Sequence, residues 1–267
     1  MSTGRRNDVI IDVTRTVIRC ERLPSGFDGF RITQVSDLHD AVFGEEQSEL
    51  LGKIRETKPD LIALTGDFIG SKKSDVGRML RFMEKLPGIG PVCYVTGNHE
   101  FRLSAEDKDR FFRGIRDAGI RFLRNETMML ERKDDEIQIV GVDDPAVIGE
   151  GRHSMDGMVL KEELEKASFS PDRFTLLLTH RPEQLPLYAN AGVDLVLCGH
   201  SHGGQIRMPG IGALYVPSQG WFPKYDCGLY REGKTQMYIS RGLGCSVVNF
   251  RISDPPELAV LELRTII

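Results

Sequence analysis

The sequence predicts an α/β fold built on two packed sheets, and three observations carry that prediction. Strand-like and helix-like stretches alternate through about the first hundred residues. Three strands there run directly into polar residues of the kind that bind metal ions. Beyond residue 205, glycine and proline punctuate a series of short strands.

The elements follow in chain order. After an N-terminal strand and the turn Pro24-Ser25-Gly26, Phe30 to Ser36 alternates and is rich in β-formers, as a core strand requires, and it delivers Asp37-Leu38-His39. From Glu46 to Thr57, Leu50, Leu51 and Ile54 recur at helical spacing; Pro59 then stops the helix before the apolar run Leu61 to Leu64, which delivers Gly66-Asp67. A helix from about Val76 to Leu86, the breakers Pro87 to Pro91 and the strand Val92 to Thr96 complete a third cycle, which delivers Gly97-Asn98-His99-Glu100. Such alternation pairs strands in parallel through right-handed crossovers. Parallel sheets bind ligands beyond the carboxyl ends of their strands, so the three motifs are expected to converge.

The second half reads as less helical. Ile137 to Val142, Phe174 to Thr179 and Val193 to Cys198 are short buried strands, and the last two lead into His180 and Gly199-His200-Ser201-His202. Strand candidates at Ala213 to Val216, Gln236 to Ser240 and Leu258 to Leu263 suggest a second, more antiparallel sheet packed on the first. With no internal repeat and no long linker, residues 1–267 are expected to form one domain.

Composition excludes several classes of function. A formal net charge of −4 argues against a sequence-independent grip on nucleic acid, which needs a basic surface. The five cysteines are far apart, odd in number and without CxxC spacing, so neither a disulfide framework nor a thiolate zinc site is expected, and a reducing cytoplasm fits best. Arg5 and Arg6 precede an apolar run, Val9 to Val13, that is too short for a signal peptide and is broken by Asp12. No stretch approaches the ~20 apolar residues of a transmembrane helix. The expected partners are therefore small molecules, with no obligate protein partner evident.

The informative pattern is a set of oxygen and imidazole donors at strand ends: Asp37, His39, Asp67, Asn98, His99, His180, His200 and His202. Five of the six histidines belong to it, which makes coincidence a poor explanation. Carboxylate, amide and imidazole donors without thiolate suit manganese, iron or zinc, and a set so rich in histidine is a poor calcium cage. In an extended segment alternate residues point the same way, which would let Asp37 and His39 serve one ion and His200 and His202 meet it together. Gly66, Gly97 and Gly199 each precede a donor, where a chain leaving a strand turns sharply and calls for dihedrals that glycine reaches cheaply.

The ordered run DLH, GD, GNHE, a lone histidine and GHSH resembles the calcineurin-like metallophosphoesterase family. The resemblance extends from Asp37 to His202, and His180-Arg181-Pro182-Glu183, the extension Gly199 to Gln205 (GHSHGGQ) and Ser240-Arg241-Gly242-Leu243-Gly244 are similar to a bacterial branch of stand-alone phosphohydrolases. It implies a four-layer αββα sandwich of two mixed sheets flanked by helices. It also implies two divalent metal ions, manganese first, with iron, zinc or magnesium as alternatives. Asp37, His39 and His202 would take one ion and Asn98, His180 and His200 the other, with Asp67 bridging. A hydroxide shared by the ions would attack a phosphate ester, a small-molecule or lipid-derived phosphodiester before a monoester or pyrophosphate, while His99 assists the leaving group and Glu100 orients it.

Several residues carry a plainer reading beside the functional one. Where many members have an acidic or amide residue three positions after the second-motif aspartate, this chain has Gly70. Asp40 is expected to be solvated, Asp143 and Asp144 to serve turn chemistry before Pro145, and His153 to be an ordinary loop residue. Arg181 and Arg241 are weighed equally as phosphate ligands and as ion-pair partners. Trp221, Phe222 and Tyr225 either wall a pocket, stack on a base or pack under a loop. Two other functions compete: a catalytically silent metal-binding scaffold, against which the full donor set and His99 speak, and a dinuclear amidohydrolase, against which the GNHE histidine speaks.

Overall fold

The computed structural model describes residues 10–148, 155–246 and 248–266; His153 lies outside the described residues. In chain order come β1 (Asp12–Cys20), β2 (Arg31–Val35), α1 (Ser48–Thr57), β3 (Leu61–Thr65), α2 (Val76–Met83), β4 (Val92–Val95), α3 (Ala105–Asp117) and β5 (Arg121–Phe122). Next are β6 (Glu126–Arg132), β7 (Asp135–Gly141), α4 (Asp156–Ala167), β8 (Thr175–Leu178), α5 (Leu185–Asn190) and β9 (Leu195–Cys198). Short strands β10 (Arg207–Met208), β11 (Gly212–Ala213), β12 (Tyr215–Val216) and β13 (Gly220–Trp221) precede β14 (Gly228–Glu232), β15 (Thr235–Ile239) and β16 (Glu257–Thr265).

Two six-stranded sheets result, in the orders β1-β16-β2-β3-β4-β5 and β14-β15-β9-β8-β7-β6. The period-2 pattern of the strands decides how they stack. In β3, Leu61 and Ala63 face the space between the sheets, while Ile62 and Leu64 face a core shared with Leu50 and Ile54 of α1 and Met79 and Phe82 of α2. In β9, Leu195 and Leu197 meet the same intersheet core, and Val196 and Cys198 face Leu160 of α4 and Leu185 of α5. Three apolar layers thus separate four structural ones, giving the expected αββα sandwich.

The first three strand–helix cycles form as expected, with β2, β3 and β4 paired in parallel. α1 starts at Ser48, not Glu46, because Glu46 and Gln47 lie in the left-handed region and the Gln47 amide is bonded to Phe43 N–H and Ala41 C=O. Helices beyond those expected also form, α4 and α5 in the second half and α3 before it. α3 was not legible as a buried element, yet Ser104 caps it by accepting from Asp107 N–H while Phe111, Phe112 and Ile115 form its apolar stripe. The strand expected at Leu258 to Leu263 does not join the second sheet: β16 inserts into the first, parallel to β1 and antiparallel to β2. The second sheet has two antiparallel pairs against one in the first, and its central β7, β8, β9 and β15 are parallel. All five cysteines are free. No helix among the described residues is long and apolar enough to cross a membrane.

Candidate metal centre and its cavity

The loops that follow β2, β3, β4, β8 and β9 meet where the two sheets share an edge. Asp37 N–H donates to Gly66 C=O and His39 N–H to Asp67 C=O, which ties the first two motifs together through their backbones. Asp67 Oδ1 accepts the His99 N–H at 2.8 Å, and Asp37 accepts the His200 N–H at 3.0 Å, so each carboxylate also fixes the next motif.

All eight donors named from the sequence gather here. Side-chain atoms of Asp37, His39, Asp67 and His202 lie within 4.8 Å of one another, and so do those of Asp67, His180 and His200; Asp67 belongs to both groups. Asp67 Oδ2 is 3.4 Å from His39 Nε2 and 3.3 Å from His180 Nε2, and Asp37 Oδ1 is 3.3 Å from His202 Nε2. Asn98 and His99 line the cavity over this cluster with Asp67, His200 and His202. His200 and His202 thus divide between the two groups, and the expectation from extended spacing that they meet one ion together does not hold. The reason is local: Asp37, His39, Asp67, His200 and His202 all have positive φ, so these segments are tightly wound and not extended.

The glycines act differently from one another. Gly66 has φ +84°, as expected for a sharp turn, but Gly97 and Gly199 are needed for close approach. A Cβ on Gly97 would collide with Asp67 Oδ1, and one on Gly199 with Asp37 Oδ2 and Ser36 Oγ. The left-handed conformations fall on the donors themselves.

The electrostatics of the cluster suit a cation. Burial pushes Asp37 up to about 6 against the pull of His180. Burial would raise Asp67 as well, but the His180, His99 and His39 rings hold it well below the usual carboxylate range. Burial keeps His39 down at about 3, and it sets His200 and His202 well below the usual imidazole value, so these rings are neutral. Neutral imidazole is the ligand form. His180 alone is driven up, to about 10: burial opposes its charge, but Asp67 and Asp37 overcome it. Its Nδ1–H donates to Thr65 C=O at 2.8 Å, which aims Nε2 at Asp67. Buried atoms of the cluster also stand without hydrogen-bond partners, among them Asn98 Oδ1 and His180 Nε2. Inward-facing orphan donors of these types fit divalent ions of the manganese, iron and zinc class.

The support around His99 differs from expectation. Glu100 does not orient it. Its buried carboxylate accepts backbone N–H groups of Asp67, Phe68, Ile69 and Gly97, and so braces two motif loops. The Gly70 carbonyl takes the orienting role, accepting from His99 Nδ1 at 2.9 Å; a backbone carbonyl replaces the side chain that this position lacks. Asp40 is not simply solvated, because Oδ2 accepts from Gly70 N–H and Ser74 O–H and holds that carbonyl in place. Arg102, unforeseen from the sequence, reaches 2.7 Å from His99 Nε2. It stands three residues on in a one-turn 3₁₀ segment, Glu100–Arg102, where positions i and i+3 eclipse, and that spacing was the available signal.

The other polar and aromatic residues near the site are defined by their contacts. Asp144 pairs in bidentate fashion with buried Arg181, whose other nitrogen lies 3.0 Å from His200 Nε2, so Arg181 braces a donor. Asp143 likewise grips Arg124 and accepts from Thr96 O–H. Arg241 pairs with Asp12 and Glu257 and does not line the cavity. Trp221 lines the cavity, Tyr225 is buried in packing, and Phe222 is exposed.

Comparison with known proteins agrees with this geometry. Residues 30–204 match the family model described as calcineurin-like phosphoesterase. The chain is 31% identical over 263 residues to the uncharacterized metallophosphoesterase YkuE of Bacillus subtilis strain 168, covering 96% of this chain and 86% of that one. It is 28% identical over 237 residues to the phosphodiesterase YaeI of Escherichia coli K12, covering 88% and 82%. Among solved structures, the sulfate thiohydrolase SoxB from Thermus thermophilus shares the fold, with a TM-score of 0.55 at 16% identity; the match covers 91% of this chain and 57% of that one.

Proposed function

The chain belongs to the calcineurin-like phosphoesterase family and is a hydrolase of phosphoric esters; from that premise we propose that it cleaves phosphodiesters with two divalent ions, manganese first. The observation that carries this reading is the pair of donor groups sharing buried Asp67 beneath one cavity, with His99 beside them. In it, Asp37, His39 and His202 hold one ion, Asn98, His180 and His200 hold the other, and Asp67 serves both. Two cations so placed supply water activation and charge neutralisation for an in-line displacement at phosphorus. The preference for diesters draws support from the name of the E. coli relative and from a cavity of about 580 Å³, which has room for a second ester group.

The protein's own groups do the rest. Gly70 C=O fixes the His99 ring with Nδ1–H inward, so Nε2 faces the cavity. Arg102 donates to that nitrogen until phosphoryl oxygens offer the guanidinium a charged acceptor. Nε2 is then free to hold the proton that passes to the departing oxygen.

The test is hydrolysis of bis-p-nitrophenyl phosphate and p-nitrophenyl phosphate by purified protein with added manganese. Turnover of the diester above the monoester, inhibited competitively by phosphate or vanadate, is expected. Absence of turnover under every divalent metal, with metal demonstrably bound, would leave a scaffold; indifference to both anions would point to amide hydrolysis.

A further inference from the structure

The cavity has two unlike ends. One is the donor cluster with Arg102 and Arg181. The other is a wall formed by Ile206, Leu214, Tyr215, Pro217, Trp221 and Val248, and no lysine, arginine or carboxylate lines it among the described residues. Tyr215 and Trp221 face each other across the β12–β13 pair with ring centroids 5.4 Å apart, edge to face. Trp221 is nonetheless 71% exposed, so a large apolar surface stands in water at the mouth of the cavity. Half of the large apolar side chains exposed among the described residues lie in the same stretch of chain, between residues 206 and 252, including Met208, Ile211, Phe222, Phe250 and Ile252.

The geometry points to a subsite for an apolar chain carried by the substrate. It rests on the phosphodiesterase reading above, which seats the phosphorus at the donor end of the cavity. The ester group that is not cleaved must then extend along the wall, because the same cavity runs from one to the other. A sugar or nucleobase would meet few polar partners there. Gln205 is already bonded to Val248 and Phe250 carbonyls, and Ser201 donates to Tyr225 C=O. An alkyl or acyl chain needs none and gains affinity with each methylene it withdraws from water.

Two measurements test this. In the first, manganese-loaded enzyme is assayed on methyl, butyl and octyl 4-nitrophenyl phosphate below their aggregation concentrations. The expected result is a rise in kcat/KM of about tenfold or more from methyl to octyl, carried by KM, with Trp221→Ala and Tyr215→Ser collapsing the octyl-to-methyl ratio. A flat series, an equal loss on both esters in the variants, or faster cleavage of thymidine 5′-(4-nitrophenyl phosphate) than of the octyl ester overturns the subsite. In the second, octyl phosphate is titrated against the protein while the emission of Trp221, the one tryptophan of the chain, is followed. A blue shift that inorganic phosphate does not produce is expected, and its absence counts against the subsite. The two readings fail separately: a shift without hydrolysis of any ester removes the phosphodiesterase and keeps the chain-binding wall, whereas hydrolysis with a flat series does the reverse.

Discussion

The floor of the cavity and its wall are built on opposite principles. The floor is made of side chains at strand ends, nearly all buried, and several are held by backbone bonds from a neighbouring motif: Asp37 by His200 N–H, Asp67 by His99 N–H and His180 by Thr65 C=O. The wall comes mostly from the segment of two-residue strands and loops between β9 and β14, and it carries apolar groups that stay in water. A sheet edge fixes donors to fractions of an ångström, as reaction chemistry requires, whereas a peripheral segment varies without disturbing the sheet. Chemistry and specificity are therefore expected to separate on mutation.

The largest effect should come from the residue that joins both donor groups. Asp67→Asn is expected to lower kcat/KM by about 10⁴-fold and to reduce bound manganese toward zero, measured by elemental analysis beside kinetics. Retention of two ions per chain in this variant would break the picture of a shared carboxylate. His99→Ala should lower kcat by about a hundredfold while metal content stays at the wild-type level. If turnover survives with every substrate tried, the leaving-group role is wrong.

Smaller effects concern stability. Glu100→Ala removes the acceptor of several buried N–H groups and should cost about 3 kcal/mol or more in urea unfolding, a loss that belongs to the floor alone. Beside the wall, next to Trp221 in the chain, Phe222→Asn replaces a 66% exposed ring at φ +52° with a residue that tolerates that conformation, and stability should change by less than about 0.5 kcal/mol. A large loss there would show that the wall is structurally coupled to the floor.

The sequence made the floor legible and left the wall mostly unread, for physical reasons. Asp37, Asp67, Asn98 and the five histidines announced themselves because a donor type falls at each strand end, and strand ends are visible from periodicity. Which donors share a group was implied by the family resemblance and not by spacing, because a positive φ at His200 or His202 turns a side chain away from the direction that extended spacing predicts. Arg102 and the carbonyl of Gly70 were hidden for related reasons: one acts through a single 3₁₀ turn, the other through a backbone atom that every residue possesses. The helix α3 was missed although Ser104 and Asp107 supply its cap, since its charged residues outnumber the apolar stripe of Phe111, Phe112 and Ile115. β16 was placed in the wrong sheet because alternation fixes which face is buried, not which neighbour pairs.

The left-handed backbone at Asp37, His39, Asp67, His200 and His202 carries one more consequence. A non-glycine residue held in that region costs on the order of 1 kcal/mol, so the five together oppose folding by an amount comparable with the whole margin of an ordinary domain. The surrounding sandwich must be sturdier than its net stability suggests, and catalytic competence and heat resistance pull against each other in this protein. Inactive versions with glycine at these positions should outlast the active enzyme on heating more readily than inactive versions with alanine.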